Sequence, residues 1–136
     1  MKIQFLIAFL LTLFVTSLCA DEGRGDTGTL KLSWNEFRSL MTERGGLAIG
    51  KGFFNTNMDT EWTEYEVRMT VSNKGSKERK VRMIISIFDK TNNLVFAASK
   101  DKSIEGLAEK EFKCETKISS AVKFEPETVF IRCWWE

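Results

Sequence analysis

The chain has 136 residues, 20 lysine and arginine side chains against 19 aspartate and glutamate, and no histidine. The near-zero net charge, with signs interspersed, excludes the basic stripe needed to bind nucleic acid or an anionic membrane. The missing histidine removes Ser-His-Asp triads, Cys-His pairs and the commonest metal ligand, so neither a cofactor nor zinc is expected.

In chain order, residues 1–20 read as an export signal. Lys2 supplies the positive start and Ile3 to Val15 an apolar run. Ser17-Leu18-Cys19-Ala20 offers a small-residue cleavage site before Asp21-Glu22. The run is short for a transmembrane span, and no second one follows. The expected location is the periplasm or the outside of the cell. A lipid anchor on Cys19 is disfavoured by the bulky Leu18 before it. Residues 21–28 (DEGRGDTG) are polar and glycine-rich, and read as a flexible leader. Arg24-Gly25-Asp26 within it is the tripeptide that integrins recognise, although three ordinary residues recur by chance.

Residues 29–136 read as a single domain. Ser33-Trp34-Asn35-Glu36 matches a helix capping box. Trp34, Phe37, Leu40 and Met41 follow on one helical face, and Arg44 with Gly45-Gly46 supplies a stop. The spacing predicts a short helix over about 34–43. Most of the chain after it has the two-residue rhythm of strands, with Ser103 to Leu107 ambiguous. Leu47 to Phe54 forms one, weakened by its glycines. Tyr65, Val67, Met69 and Val71 alternate with Glu64, Glu66, Arg68 and Thr70. Asn73-Lys74-Gly75-Ser76 and Asp89 to Asn93 are turns. Val81 to Phe88 and Leu94 to Ala98 are further strands. Phe112 to Ile118 and Val129 to Trp135 follow on either side of Pro126.

These elements predict a mainly β fold. It is an antiparallel, immunoglobulin-like β-sandwich of six to seven strands with one short N-terminal α-helix. In an exported chain, Cys114 and Cys133 read as one disulfide. Pairing residues 112–118 with 129–135 as a hairpin would set the two cysteines directly opposite one another, a geometry that can hold the bond.

Residues 71–112 resemble the bacterial FxLYD domain and, more loosely, the CARDB sandwiches. Val71-Ser72-Asn73-Lys74-Gly75 is similar to that family's strand end, and Ile85-Ser86-Ile87-Phe88-Asp89 to the F-x-L-Y-D run. Asn92-Asn93-Leu94-Val95 and Leu107 to Phe112 stand where the family re-enters its sheet. The resemblance implies a sandwich fold and an extracytoplasmic accessory role, and brings no catalytic residues.

Three groups remain to be weighed for chemistry. Glu61, Glu64 and Glu66 cluster near Trp62 and are the residues a carboxylate-based hydrolase would need, but two of them alternate with core residues and read as a solvated strand face. Asn55, Asn57, Asp59 and Glu66 have the spacing of a calcium loop, but lack its glycine and its flanking helices, and read as a polar turn. Trp62, Trp134 and Trp135 are the candidate contact residues. The last two point to opposite faces of a strand, so either one is exposed or the helix covers both. The expected function is a non-enzymatic protein-interaction or accessory module with an unknown protein partner, binding through a sheet edge and the tryptophans. The alternative is a small-ligand binder for a glycan or apolar ring in a groove roofed by the helix. A carboxylate enzyme is the third reading.

Overall fold

A computed structural model describes residues 23–136; the predicted export signal, with Cys19, lies outside the described residues. The fold is mainly β, two antiparallel sheets with one short helix between them. In chain order the elements are β1 (Gly25–Asp26), β2 (Leu30–Ser33), α1 (Trp34–Arg38), β3 (Met41–Arg44), β4 (Leu47–Met58) and β5 (Trp62–Asn73). Then come β6 (Arg79–Asp89), β7 (Leu94–Ile104), β8 (Glu109–Ser119) and β9 (Pro126–Trp135). The first sheet runs β1-β9-β6-β7, with β2 also on β9; the second runs β3-β4-β5-β8. The chain passes between sheets at β2–β3, through α1, and at β5–β6, β7–β8 and β8–β9. Among the described residues no helix is long and apolar enough to cross a membrane.

The alternation places the core as expected. Tyr65, Val67, Met69 and Val71 from β5 meet Val81, Met83, Ile85 and Ile87 from β6 and Val129 and Ile131 from β9, all buried. A period of two buries one side of each strand and leaves the other to water.

Four expectations are corrected. The helix is five residues long, not about ten. Its capping is as read, with the Ser33 hydroxyl accepting from the Glu36 N–H at 3.2 Å. It stops at Arg38, and Met41, on the expected apolar face, is 81% exposed in β3. Gly45 and Gly46 both have left-handed φ, 62° and 76°, and form the β3–β4 hairpin turn rather than a helix stop. Among the described residues the strands number six long and three short, rather than six to seven.

Residues 25–27 of the predicted leader are held against β9. Gly25 and Asp26 pair with Trp135 and Trp134, and the Asp26 carboxylate accepts from the Arg132 guanidinium at 3.1 Å. That hydrogen bond holds the Asp26 carboxyl below its usual pKa. Thr27, buried, donates its N–H to the Cys133 carbonyl at 2.9 Å and accepts the Cys133 N–H on its hydroxyl at 3.0 Å. The Arg24-Gly25-Asp26 tripeptide is therefore bound along β9 over its last two residues.

Among the described residues the expected hairpin of 112–118 with 129–135 is absent, and with it the disulfide. Cys114 on β8 faces Val67 in the second sheet, whereas Cys133 on β9 faces Met83 in the first. Both are free, buried thiols. Burial pushes the Cys133 thiol up to about 12 and raises that of Cys114, which keeps both from ionising near neutral pH. In the folded chain at pH 8, neither thiol will react with iodoacetamide; in urea, both will be labelled with no reductant present, read by intact mass. Labelling that requires prior reduction would instead show the bond.

Candidate functional site

The three candidate tryptophans are not brought together. Trp135 is buried at the end of β9. Its indole Nε1 donates to the Gly45 carbonyl at 2.8 Å, and the Arg79 guanidinium carbon lies 3.7 Å from its ring centroid. It closes one end of the sandwich. Trp134 lies on the outer face of the first sheet, its ring 4.7 Å from the Arg132 guanidinium and 5.8 Å from that of Arg82. Both arginines are themselves paired, with Asp26 and Asp101. The helix does not cover Trp134; Phe37 of α1 is turned toward β4, so that a side chain on Gly52 would meet its ring. Trp62 stands at the other end of the molecule, roughly 35 Å away along β5. It is 53% exposed, across from Ser119.

Around Trp62 the structure builds a tied tip. The Ser120 N–H donates to the Glu61 carbonyl at 2.9 Å, and its hydroxyl donates to the Asp59 carbonyl at 2.7 Å. Behind it, the outer face of the second sheet carries an open groove of about 390 Å³, lined by Asn55, Asn57, Glu64, Glu66, Glu115 and Lys117 among others. It is not roofed by α1, whose neighbours are β2, β4 and β9. Nor do its acids stand free. Glu64 pairs with Lys117 at 3.2 Å, and Glu66 pairs with Arg68 and with Lys113 at 3.3 Å. The Arg68 hydrogen bond, aided by Lys113, lowers the Glu66 pKa, the opposite of what a general acid requires. Of the calcium-spaced residues, Asn55 and Glu66 lie opposite one another on paired strands, Asn57 lies opposite Glu64, and Asp59 stands in the turn between β4 and β5.

The feature the sequence reading missed is the outer edge of β4. The short β3 pairs only with Leu47–Gly50. The last bond on that side is from the Lys51 N–H to the Leu40 carbonyl, 2.7 Å. A bulge follows between Gly50 and Phe53, and beyond it no described strand lies beside Phe53–Met58 except β5. The Asp59 N–H donates to the Trp62 carbonyl at 3.0 Å, which makes these two a hydrogen-bonded pair. Antiparallel alternation then turns Phe53, Asn55 and Asn57 toward β5, and leaves the N–H and C=O of Phe54, Thr56 and Met58 directed outward. Phe53 and Met58 are 56% and 77% exposed. The other long edges are managed: Lys102 donates to the Glu111 carbonyl and Lys110 to the Ser103 carbonyl, stitching β7 to β8. From Gly52 to Met58 no residue is charged. That uncharged run, ended by Asp59, is the signal that could have found the edge.

Fold and surface together define a small antiparallel β-sandwich in which, among the described residues, no strand pairs with the outer edge of β4 beyond its bulge. No family model and no curated protein matches the sequence. Among solved structures, the chain is similar to a Bacteroides uniformis beta-glucuronidase at 18% identity and TM-score 0.44, covering 55% of this chain but 9% of that one. It is also similar to a Parabacteroides merdae beta-glucuronidase, at 16% identity and TM-score 0.44, covering 58% and 10%. A DUF1425 family member from Shewanella sp. pv-4 matches at 12% identity and TM-score 0.39, covering 66% and 84%. These are likenesses of fold only.

Proposed function

We propose that this chain is an exported, non-catalytic protein-interaction or accessory module that takes up a strand from its partner along the outer edge of β4. The observation that carries the reading is the uncovered, uncharged run Phe53–Met58, with alternate N–H and C=O groups directed outward. Strand addition satisfies such groups with main-chain bonds and leaves the side chains to set specificity. Export is read from residues 1–20, and the FxLYD-like run over 71–112 supports an extracytoplasmic accessory role.

The test is capture from an envelope extract or culture medium with the wild-type chain and a Thr56→Pro variant as baits. The Thr56 N–H points away from β5, so proline takes nothing from the β4–β5 ladder and the fold should tolerate it. Thr56→Pro is expected to lose the captured protein while its thermal midpoint stays within a few degrees of wild type, and Trp134→Ala to retain it. Equal capture by wild type and Thr56→Pro overturns the reading.

A second reading rests on Trp62, exposed near a groove lined in part by the amides of Asn55 and Asn57. This is a surface on which a glycan or another ring could stack. Quenching of tryptophan emission by a glycan panel, lost in Trp62→Ala, would favour it over strand addition.

A further inference from the structure

We infer that the strand added to β4 is β4 of a second copy of this chain, the two lying antiparallel about a two-fold axis at Asn55. This rests on the edge reading above and names the partner of that edge. Three observations converge on it. First, the run from Gly52 to Met58 carries no charge, so two copies meet without the like-charge repulsion that keeps other edges apart. Second, the backbone directions agree. With Asn55 opposite Asn55, Phe54 of each copy faces Thr56 of the other, and both residues direct their N–H and C=O outward, so each such pair can exchange two hydrogen bonds. Third, the flanking charges complement each other in that register. The main chain at Lys51 is taken by Leu40, so the partner strand leaves the edge before it, and Asp59 of each copy meets Lys51 of the other through the side chains alone. Both are exposed, and neither has an ion-pair partner among the described residues. Phe53 then lies across from Asn57 of the other copy, so its exposed ring is covered on one flank. The interface is isologous and closes on itself, giving a dimer and not a fibre.

The experiment is sedimentation velocity on the purified chain over a concentration series, together with oxidative cross-linking. Wild type is expected to dimerise with rising concentration and Thr56→Pro to remain monomeric. Lys51→Glu, which sets carboxylates against Asp59, is expected to weaken the dimer about tenfold or more, and Lys51→Glu/Asp59→Lys to recover most of that loss. Asn55→Cys places two thiols at a non-hydrogen-bonded site, where a disulfide closes readily. It is expected to form a covalent dimer, whereas Asn57→Cys, facing Phe53 of the other copy, is not. Equal cross-linking by both variants overturns the register. A wild-type chain that stays monomeric at its highest soluble concentration overturns the proposal. If Thr56→Pro nevertheless loses a protein captured from extract, the edge reading survives with a different partner; if it loses none, both fall.

Discussion

Replacing Trp135 by alanine will lower the unfolding free energy by about 4 kcal/mol, while the same change at Trp134 will cost less than about 1 kcal/mol. The two residues are adjacent and chemically identical, so the difference measures their surroundings. Trp135 is 5% exposed; its ring fills the end of the sandwich, and its indole N–H ties β9 to the β3–β4 turn through Gly45. Removing it also uncovers Arg79, a buried cation whose guanidinium stacks on that ring and donates to the Gly46 carbonyl at 2.9 Å. Gly25 shows how tightly the ring is held: a side chain there would run into the Trp135 indole nitrogen and the Gly45 carbonyl. Trp134 loses only contact with two arginines that keep their own carboxylates. Urea unfolding with unchanged slopes checks the pair of values. Similar losses for the two variants would mean that Trp135 does not seal the core.

The same pair of tryptophans shows what the sequence could tell. Alternation along Val129, Ile131, Cys133 and Trp135 named the buried side of β9 correctly, because a period of two follows directly from the pleat. It could not name the partner strand. In a sandwich, the inward side chains of both sheets enter one core. Two cysteines with the right phase therefore look alike whether they are neighbours across a ladder or come from opposite sheets.

The helix boundary failed for a related reason. Gly45-Gly46 supplies left-handed backbone, and a helix end and a tight hairpin both need it; only the pairing of Arg44 with Leu47 decides between them. The edge of β4 was hidden because Asn55 and Asn57 read as turn residues. Their strand conformation is set by Glu66 and Glu64 across the ladder, a tertiary choice that outweighs local preference. The Asp89 turn was legible because it is local. The Asp89 carboxylate accepts from the N–H groups of Thr91 and Asn93, both at 2.9 Å, and Asn92 takes the left-handed φ of 63° expected of asparagine.

Asn73 was legible as a strand end but not as a hub, and it carries the second large effect. It is 1% exposed. Its amide nitrogen donates to the carbonyls of Lys77 at 2.8 Å and Ile104 at 3.0 Å, and its oxygen accepts the Gly75 N–H at 3.0 Å. One side chain thus fastens the β5–β6 turn to the end of β7. Asn73→Ala will cost about 3 kcal/mol, since it leaves buried carbonyls unpaired and opens a small void. Asn73→Asp separates hydrogen bonding from shape. The carboxylate can still accept from Gly75, but it turns a second oxygen on two carbonyls in a buried site, so the folded state favours its protonated form and its pKa is raised. A raised carboxyl pKa makes the native state hold a proton that the unfolded chain releases. The penalty is therefore small below the unfolded pKa, near about 4, and grows as pH rises through the folded value. At pH 7 Asn73→Asp should be less stable than Asn73→Ala, and the order should narrow or reverse near pH 4. The gap between Asn73→Ala and wild type should stay flat across the same range. Urea unfolding at both pH values makes the comparison. A penalty for Asn73→Asp that does not change with pH would mean that the side chain faces no carbonyls, and that the turn is held by its backbone alone.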